Sequence, residues 1–263
     1  MQDRYVAAKI ILDAYFKNTK DALEVPAVDL DEHPLGSMLE YMVHKVKHTF
    51  EVSQCMEDIL HNERLGLTAH QRNLAILSAI LHDLGRFYQH KDGRILSSRE
   101  FNHGAVSVEL LKRDGRFTDP GLLYAIDQHD DALIDASLAP SDFAITLARL
   151  LRDADKLANV RVFSLYGSKY MREDNRGMSS KVKDAMMSGR LVIYKDCITP
   201  ADQVAAAMAW FYDINYPYTK RQVISLGYFR RAFDELRRFG TTLTDMKDIR
   251  KSLGLAGYVK IPG

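Results

Sequence analysis

The residues of this chain best suited to chemistry occur in a fixed order: His48, the adjacent pair His82-Asp83, then His103, His129 and Asp155. Imidazole nitrogens and carboxylate oxygens are ligands for divalent metals, and a carboxylate has two oxygens that can each bind a separate ion. An adjacent His-Asp pair can therefore give its histidine to one metal and share its aspartate between two. The pattern points to a di-metal hydrolytic centre. One histidine at the end of an apolar helix is usually an ordinary hydrogen-bonded residue, but six such residue types in this order are not expected of a plain core. His33, His44, His61, His70 and His90 show no such order, although His44 lies one helical turn before His48 and is placed to support it.

Each candidate falls at or near the end of a segment with helical periodicity. Thr68 and Gln71 stand in capping-box register, and Leu74, Leu77, Leu81 and Leu84 then recur at helical spacing. His82 and Asp83 arrive on the last turn, with Gly85 expected as a left-handed C-terminal cap. Asn102 is expected to cap a helix with His103 in its first turn, carrying Ala105, Val106, Leu110 and Leu111 and ending before Gly115. Asp119-Pro120 opens another, with His129 on the face of Leu122 and Ile126. Ala148, Leu151 and Ala154 line a helix beginning near Ser141, and Asp155 lies on its inward side. A carboxylate there must be paired, hydrogen-bonded or metal-bound, because burying it bare is very costly.

The order His48…His82-Asp83…Asp155 resembles the signature of the HD-domain superfamily of metal-dependent phosphohydrolases. The surrounding words agree: His48-Thr-Phe-Glu-Val52, Leu81-His-Asp-Leu-Gly-Arg86 and Asp155-Lys-Leu157. His103, within Asn102-His-Gly-Ala105, and His129, within Asp127-Gln-His-Asp130, resemble the two further histidines of the branch that binds two metals. The resemblance covers about residues 35 to 165 and implies an all-α HD-domain helical bundle. It also implies that His48, His82, Asp83 and Asp155 hold one metal, with Asp83 bridging to a second held by His103 and His129. The expected cofactors are thus one or two divalent transition metals. The His-rich set favours manganese or iron, with nickel, cobalt, zinc or magnesium as alternatives.

The remaining sequence reads as helix after helix. A short amphipathic helix over about 4 to 17 is followed by a linker with Pro26 and Pro34, so residues 1–34 form an N-terminal helix and linker. Residues 35–165 form the metal-binding core. Its first stripe runs from Leu35 to Val46 into His48, and Val52, Met56, Ile59 and Leu60 give the next. Residues between Arg86 and Asn102, with a turn at Lys91-Asp-Gly93, read as a loop over the site. Residues 166–263 read as a mostly helical extension packed on the core, the whole forming one domain. Within it Lys169 to Lys183 reads as a loop, and Arg190-Leu-Val-Ile-Tyr194 as a strand, half of one small hairpin. Thr199-Pro200 starts a helix through Val204, Met208 and Phe211. A final helical pair runs through Phe229, Phe233 and Leu236, then Leu243 to Leu253. The aromatics Trp210, Phe211, Tyr212, Tyr216, Tyr218 and Tyr228 read as core or interface. The Arg230-Arg231 and Arg237-Arg238 pairs read as a solvated helix face.

Composition narrows the classes. A formal net charge of +1 gives no electrostatic reason to expect a nucleic-acid polymer or a membrane as partner. Cys55 and Cys197 lie far apart without metal-ligand spacing, so neither a disulfide framework nor a cysteine metal site is indicated. No signal-peptide core follows Met1-Gln-Asp-Arg4, and no apolar run approaches the eighteen or so residues of a membrane helix. A cytoplasmic enzyme is expected, with homo-oligomerisation open.

The resemblance implies hydrolysis of a phosphate ester in a small substrate, a nucleotide by expectation. A phosphate ester is an anion that repels hydroxide. Two divalent metals offset that charge, lower the pKa of a water and clamp the attacking and leaving oxygens. Candidate catalytic residues are Asp83, Arg86 and Lys156; the guanidinium of Arg86 can reach a phosphate by charge-assisted hydrogen bonds. The alternatives are a mixed-valent di-iron oxygenase on the same fold, and a non-catalytic module that senses a nucleotide. HD-fold oxygenases typically carry a histidine shortly after the His-Asp pair and a lysine one turn after the fourth histidine. Here Arg86 and Leu133 stand at those places.

Overall fold

The computed structural model describes residues 2–23, 38–91, 94–96, 100–166 and 173–260. Among the described residues the chain forms eleven α-helices and one two-stranded antiparallel ribbon, an all-α architecture. It divides into two compact units, Met1–Asp155 and Lys156–Gly263. The division falls inside a helix at Asp155. The expected linker with Pro26 and Pro34 lies outside the described residues. No helix among the described residues is long and apolar enough to cross a membrane.

The first unit contains α1 (Gln2–Leu23), α2 (Met38–Asn62), α3 (Ala69–Leu81), α4 (His103–Asp114), α5 (Pro120–Asp127) and the first part of α6 (Asp142–Tyr166). The two stripes expected on either side of His48 belong to one helix, α2. Met42, Thr49, Val52, Met56 and Ile59 are buried along it at spacings of three, four and seven, and no glycine or proline interrupts them. Helices α1 and α2 pack on α3 and on each other, and α3 and α4 pack on α5. All eight residues from Leu74 to Leu81 are buried, so α3 is apolar around most of its circumference and forms the centre of this unit. Each fully buried leucine or isoleucine there contributes about 1.5–3 kcal/mol.

The local signals act as expected at three helix starts. Thr68 and Gln71 form a reciprocal capping box, Asn102 Oδ1 accepts from Ala105 N at 2.9 Å, and Asp119 Oδ1 accepts from Leu122 N at 2.9 Å before Pro120. The end of α3 differs from expectation. His82 keeps helical angles (φ −57°, ψ −41°), the chain continues as a 3-10 helix over Leu84–Tyr88, and Gly85 is not in the left-handed region. A glycine is needed there for close approach to α4. The segment read as a loop continues into a short hairpin, β1 (His90–Lys91) and β2 (Arg94–Ile95), with His90 opposite Ile95 and Lys91 opposite Arg94.

The second unit holds α7 (Ser180–Met187), α8 (Pro200–Ala209), α9 (Pro217–Ser225), α10 (Tyr228–Arg238) and α11 (Leu243–Ser252). Helix α10 is its clearest amphipath: Tyr228, Phe229, Ala232, Phe233 and Leu236 are buried, and Arg230, Arg231, Arg237 and Arg238 are exposed. The arginine pairs are thus a solvated face, and Phe211 and Tyr228 pack edge-on against Phe229. Three expectations need correction. Residues 190–194 form no strand, because Arg190 N and Gly189 N turn back to Ala185 and Met186 carbonyls to close α7, while Ile193 O accepts from Asp196 N in a 3-10 turn. Among the described residues the two-stranded ribbon is formed by β1 and β2 instead. Lys183 belongs to α7, so the loop described before it spans only 173–179, where Gly177 N is tied to Phe239 O at 2.8 Å. A further helix, α9, precedes the expected final pair and starts at Pro217, a proline at the first helical position.

Candidate metal centre

Six side chains from five helical segments converge in the first unit. His48 comes from the middle of α2, His82 and Asp83 from the end of α3, His103 from the first residue of α4, His129 from just beyond α5 and Asp155 from α6. All are buried except Asp155, whose side chain is 23% exposed. Asp83 lies at the centre. Its Oδ2 is 3.8 Å from His48 Nε2 and 3.7 Å from His82 Nε2, while its Oδ1 is 3.3 Å from His103 Nε2 and 3.7 Å from His129 Nε2. Two groups with metal-holding geometry result, His48-His82-Asp83 and Asp83-His103-His129, and they share only Asp83. Asp155 Oδ1 joins the first, 2.9 Å from His48 Nε2 and 3.9 Å from His82 Nε2.

The backbone around these residues selects their tautomers. His82 Nδ1 lies 2.9 Å from the Ala79 carbonyl and His129 Nδ1 2.6 Å from that of Ile126. A carbonyl only accepts, so each Nδ1 carries a hydrogen, and in the neutral ring it is Nε2 that presents a lone pair inward. His82 Nε2 is buried and has no hydrogen-bond partner among the described residues. An unsatisfied acceptor is costly in an interior, and a metal ion would satisfy it. Together with the two faces of Asp83, this lone pair fits a divalent metal to the residues present. His103 Nδ1 lies 3.2 Å from Asp130 Oδ2 at the exposed margin of the cluster, without a hydrogen bond between them.

Ser107 ties the two central segments together. Its hydroxyl accepts from Gly85 N at 2.7 Å and lies 2.9 Å from the His82 carbonyl and 2.8 Å from that of His103. One buried oxygen thus sets the ends of α3 and α4 against each other.

Two cations flank the cluster. Lys45 Nζ is 3.1 Å from Asp83 Oδ2, and Arg86 Nε is 3.4 Å from Asp83 Oδ1. Arg86 Nη1 also donates to Gln89 Oε1 at 2.7 Å, and Gln89 is anchored to the Leu96 carbonyl beside the hairpin. Burial alone would raise the Asp83 pKa, but Lys45, His82 and Arg86 hold it well below the ordinary carboxylate range. Asp155 is likewise held low against its burial, by the hydrogen bond and charge of His48 and the charge of His82. Burial pulls His82 down to about 4 and, with Arg86, depresses His103. His129 moves up despite its burial because the negative charge of Asp83 lies beside it. Lys45 is lowered by burial, against the pull of Asp83.

Of the residues singled out from the sequence, the six His and Asp candidates and Arg86 are brought together here, and His44 stacks on His48 with ring centroids 6.2 Å apart. Lys156 begins the second unit and pairs through Nζ with Asp213 Oδ2 at 2.7 Å. Lys45, Gln89, Ser107 and Arg152 were not singled out. Lys45 carried a signal, since it lies three residues before His48 and so on the same helix face. Nothing in a single sequence marks the other three.

A helical unit with two His/Asp groups joined by one shared carboxylate defines a class of helical metal-site proteins. Residues 46–160 match the family model of the HD domain, and this segment contains all six residues. Comparisons with the curated proteins and with the solved structures each returned no significant match.

Proposed function

We propose that the protein is a metal-dependent phosphohydrolase acting in the cytoplasm on a small phosphorylated substrate, a nucleotide being the favoured class. The observation that carries this reading is the charge balance around Asp83. Lys45 and Arg86 already stand against the carboxylates of Asp83 and Asp155, with Asp130 as a third acid at the margin. These five groups sum to about −1 when all are ionised, so one or two divalent ions would leave an excess of positive charge in a largely buried site. An anionic substrate offsets that excess.

In this reading His48, His82, Asp83 and Asp155 would hold one ion, and Asp83, His103 and His129 a second. Manganese or iron suits this nitrogen-rich set. Bound there, the metals would supply a nucleophile at neutral pH and neutralise phosphoryl charge. The chain's own contributions are positional. The Ala79 and Ile126 carbonyls keep the Nε2 lone pairs of His82 and His129 directed inward. Asp130 places a carboxylate beside His103 Nδ1. Gln89 holds one arm of Arg86 and so aims the guanidinium across Asp83, where it can meet a phosphate oxygen. Lys45 keeps Asp83 ionised before any metal arrives.

The test is turnover of phosphomonoesters, phosphodiesters and a nucleotide panel by the full chain with manganese or iron(II), alongside elemental analysis. Wild type should carry one or two metals and release phosphate or a nucleotide product. Asp83→Ala should lose at least one metal together with the activity. A metal-free wild type after refolding with either ion, or Asp83→Ala with unchanged metal and turnover, overturns the reading. Dioxygen consumption without phosphate release would replace it with the oxygenase.

A further inference from the structure

His129 reaches the cluster from just past the end of α5, where the helix has run out of backbone partners. Past the helix, the carbonyls of residues 128–132 have no ladder to join and need donors from elsewhere. Four of them share a single side chain. Arg152, on α6 and only 3% exposed, directs Nη1 to the carbonyls of Gln128 at 3.0 Å and His129 at 3.3 Å, and to that of Asp131. Its Nη2 donates to the Ala132 carbonyl at 3.3 Å. One guanidinium therefore collects four carbonyls from the five residues 128–132, and the partial negative charge of those carbonyls offsets its burial. The His129 ring is in turn oriented by the Ile126 carbonyl one turn back. Its Nε2 is only as well placed as the backbone of this segment.

Helix α6 thus has two roles. Asp155 lies one turn beyond Arg152 on the same face and enters the cluster directly beside His48 and His82, whereas Arg152 enters it indirectly through the backbone of His129. We propose that Arg152 is a positioning residue: by clamping residues 128–132 it sets the distance of His129 from His103 and Asp83, and hence the capacity of the site for a second metal. That last consequence rests on the metal reading above. Lysine cannot replace it, since an ammonium lacks the planar fork that spans several acceptors at once.

The experiment uses the full chain with Arg152→Lys and Arg152→Ala, manganese(II) as the probe, and amide hydrogen exchange resolved to segments. In metal-free Arg152→Lys, exchange over 128–132 should rise by at least about tenfold, the loss expected when hydrogen bonds to a charged group are removed. Exchange in α2 and α3 should stay within about threefold of wild type. The weaker manganese equivalent should lose at least about tenfold in affinity while the tighter one is nearly kept. Methylguanidinium added to Arg152→Ala should restore protection of 128–132, a recovery that a general packing defect would not show. Unchanged exchange at 128–132, both manganese equivalents at wild-type affinity, or loss of protection spread evenly over the first unit would each overturn the proposal. Should wild type take up no manganese, the metal reading fails by itself, and the exchange of metal-free Arg152→Lys still decides whether the clamp exists.

Discussion

A side chain on Gly85 would collide with the carbonyl oxygen of His103, so the chain just after the His82-Asp83 pair meets the first turn of α4 backbone to backbone. Ser107 completes the contact by accepting from Gly85 N. The pair of ligand-bearing segments is thereby held closer than side-chain packing would allow.

Gly85→Ala tests this contact. At a residue outside the left-handed region, a Gly→Ala change ordinarily stabilises by about 0.4–1 kcal/mol through the unfolded chain. Here the obstructing atoms are backbone, including Ser107 N at 3.1 Å from the added carbon, and they cannot swing aside. Overpacking of this kind costs roughly 1–3 kcal/mol, so the net effect should be destabilising. Urea unfolding should show a lower midpoint at unchanged slope, with reduced metal retention. A variant as stable as wild type would show that the close approach does not persist in solution.

Arg86→Ala separates substrate binding from scaffolding. Lys45 still faces Asp83 in this variant, so fold and metal content should be nearly kept. Loss of one charge-assisted phosphate contact is worth roughly 1.5–3 kcal/mol, or about ten- to a hundredfold in kcat/KM, and Arg86→Lys should recover only part. Melting temperature, metal content and kinetics should be measured on one preparation. Lower stability and metal occupancy with normal turnover in the metal-replete fraction would make Arg86 a salt-bridge residue only.

The metal-free protein should weaken as pH falls below 6.5. Burial lowers His82 from 6.5 to about 4, so the unfolded chain binds this proton more readily than the folded one. The stability held by neutral His82 is complete above about pH 6.5 and is lost as pH falls towards 4, by roughly 3 kcal/mol at most. His129, raised by Asp83 despite its burial, acts in the opposite sense, so the comparison must be with His82→Gln. Chemical denaturation of chelator-treated protein from pH 7.5 to 4 should give a shallower fall for the variant. Parallel curves would exclude His82 as the source.

Neither thiol should react readily in the native state. Cys55 is buried completely, and burial, with Asp202 and Asp196 nearby, pushes the Cys197 thiol up to about 11. At pH 8 the Cys197 thiolate is then about a thousandth of the population. An aromatic disulfide reagent should find two thiols per chain after unfolding and react at least about tenfold more slowly before it. Fast native labelling at Cys197 would contradict the environment described.

Much of the first unit was legible in the sequence because its signals are local. Thr68 with Gln71, Asn102 and Asp119-Pro120 start helices by bonding to backbone within three residues, and periodic apolar residues identify the buried face of α2 without reference to any partner. The ordered His and Asp types likewise announced a candidate metal centre. Where the partner is distant, the sequence was silent or misleading. Gly85 looks like a helix cap, but its role is set by His103, and only the packing of α3 against α4 brings them together. The strand-like run at 190–194 has the composition of a strand, yet its backbone groups are taken up in closing α7 and in a 3-10 turn. Arg152 and Gln128 to Ala132 are some twenty residues apart in sequence, so no local pattern shows the clamp. The sequence by itself determined the helices and the supply of candidate ligands, because hydrogen bonds and periodicity within a few residues suffice for both. The tertiary structure decided which oxygen of Asp83 faces which histidines and which cations neutralise it, because those depend on distances between helices that no local interaction sets.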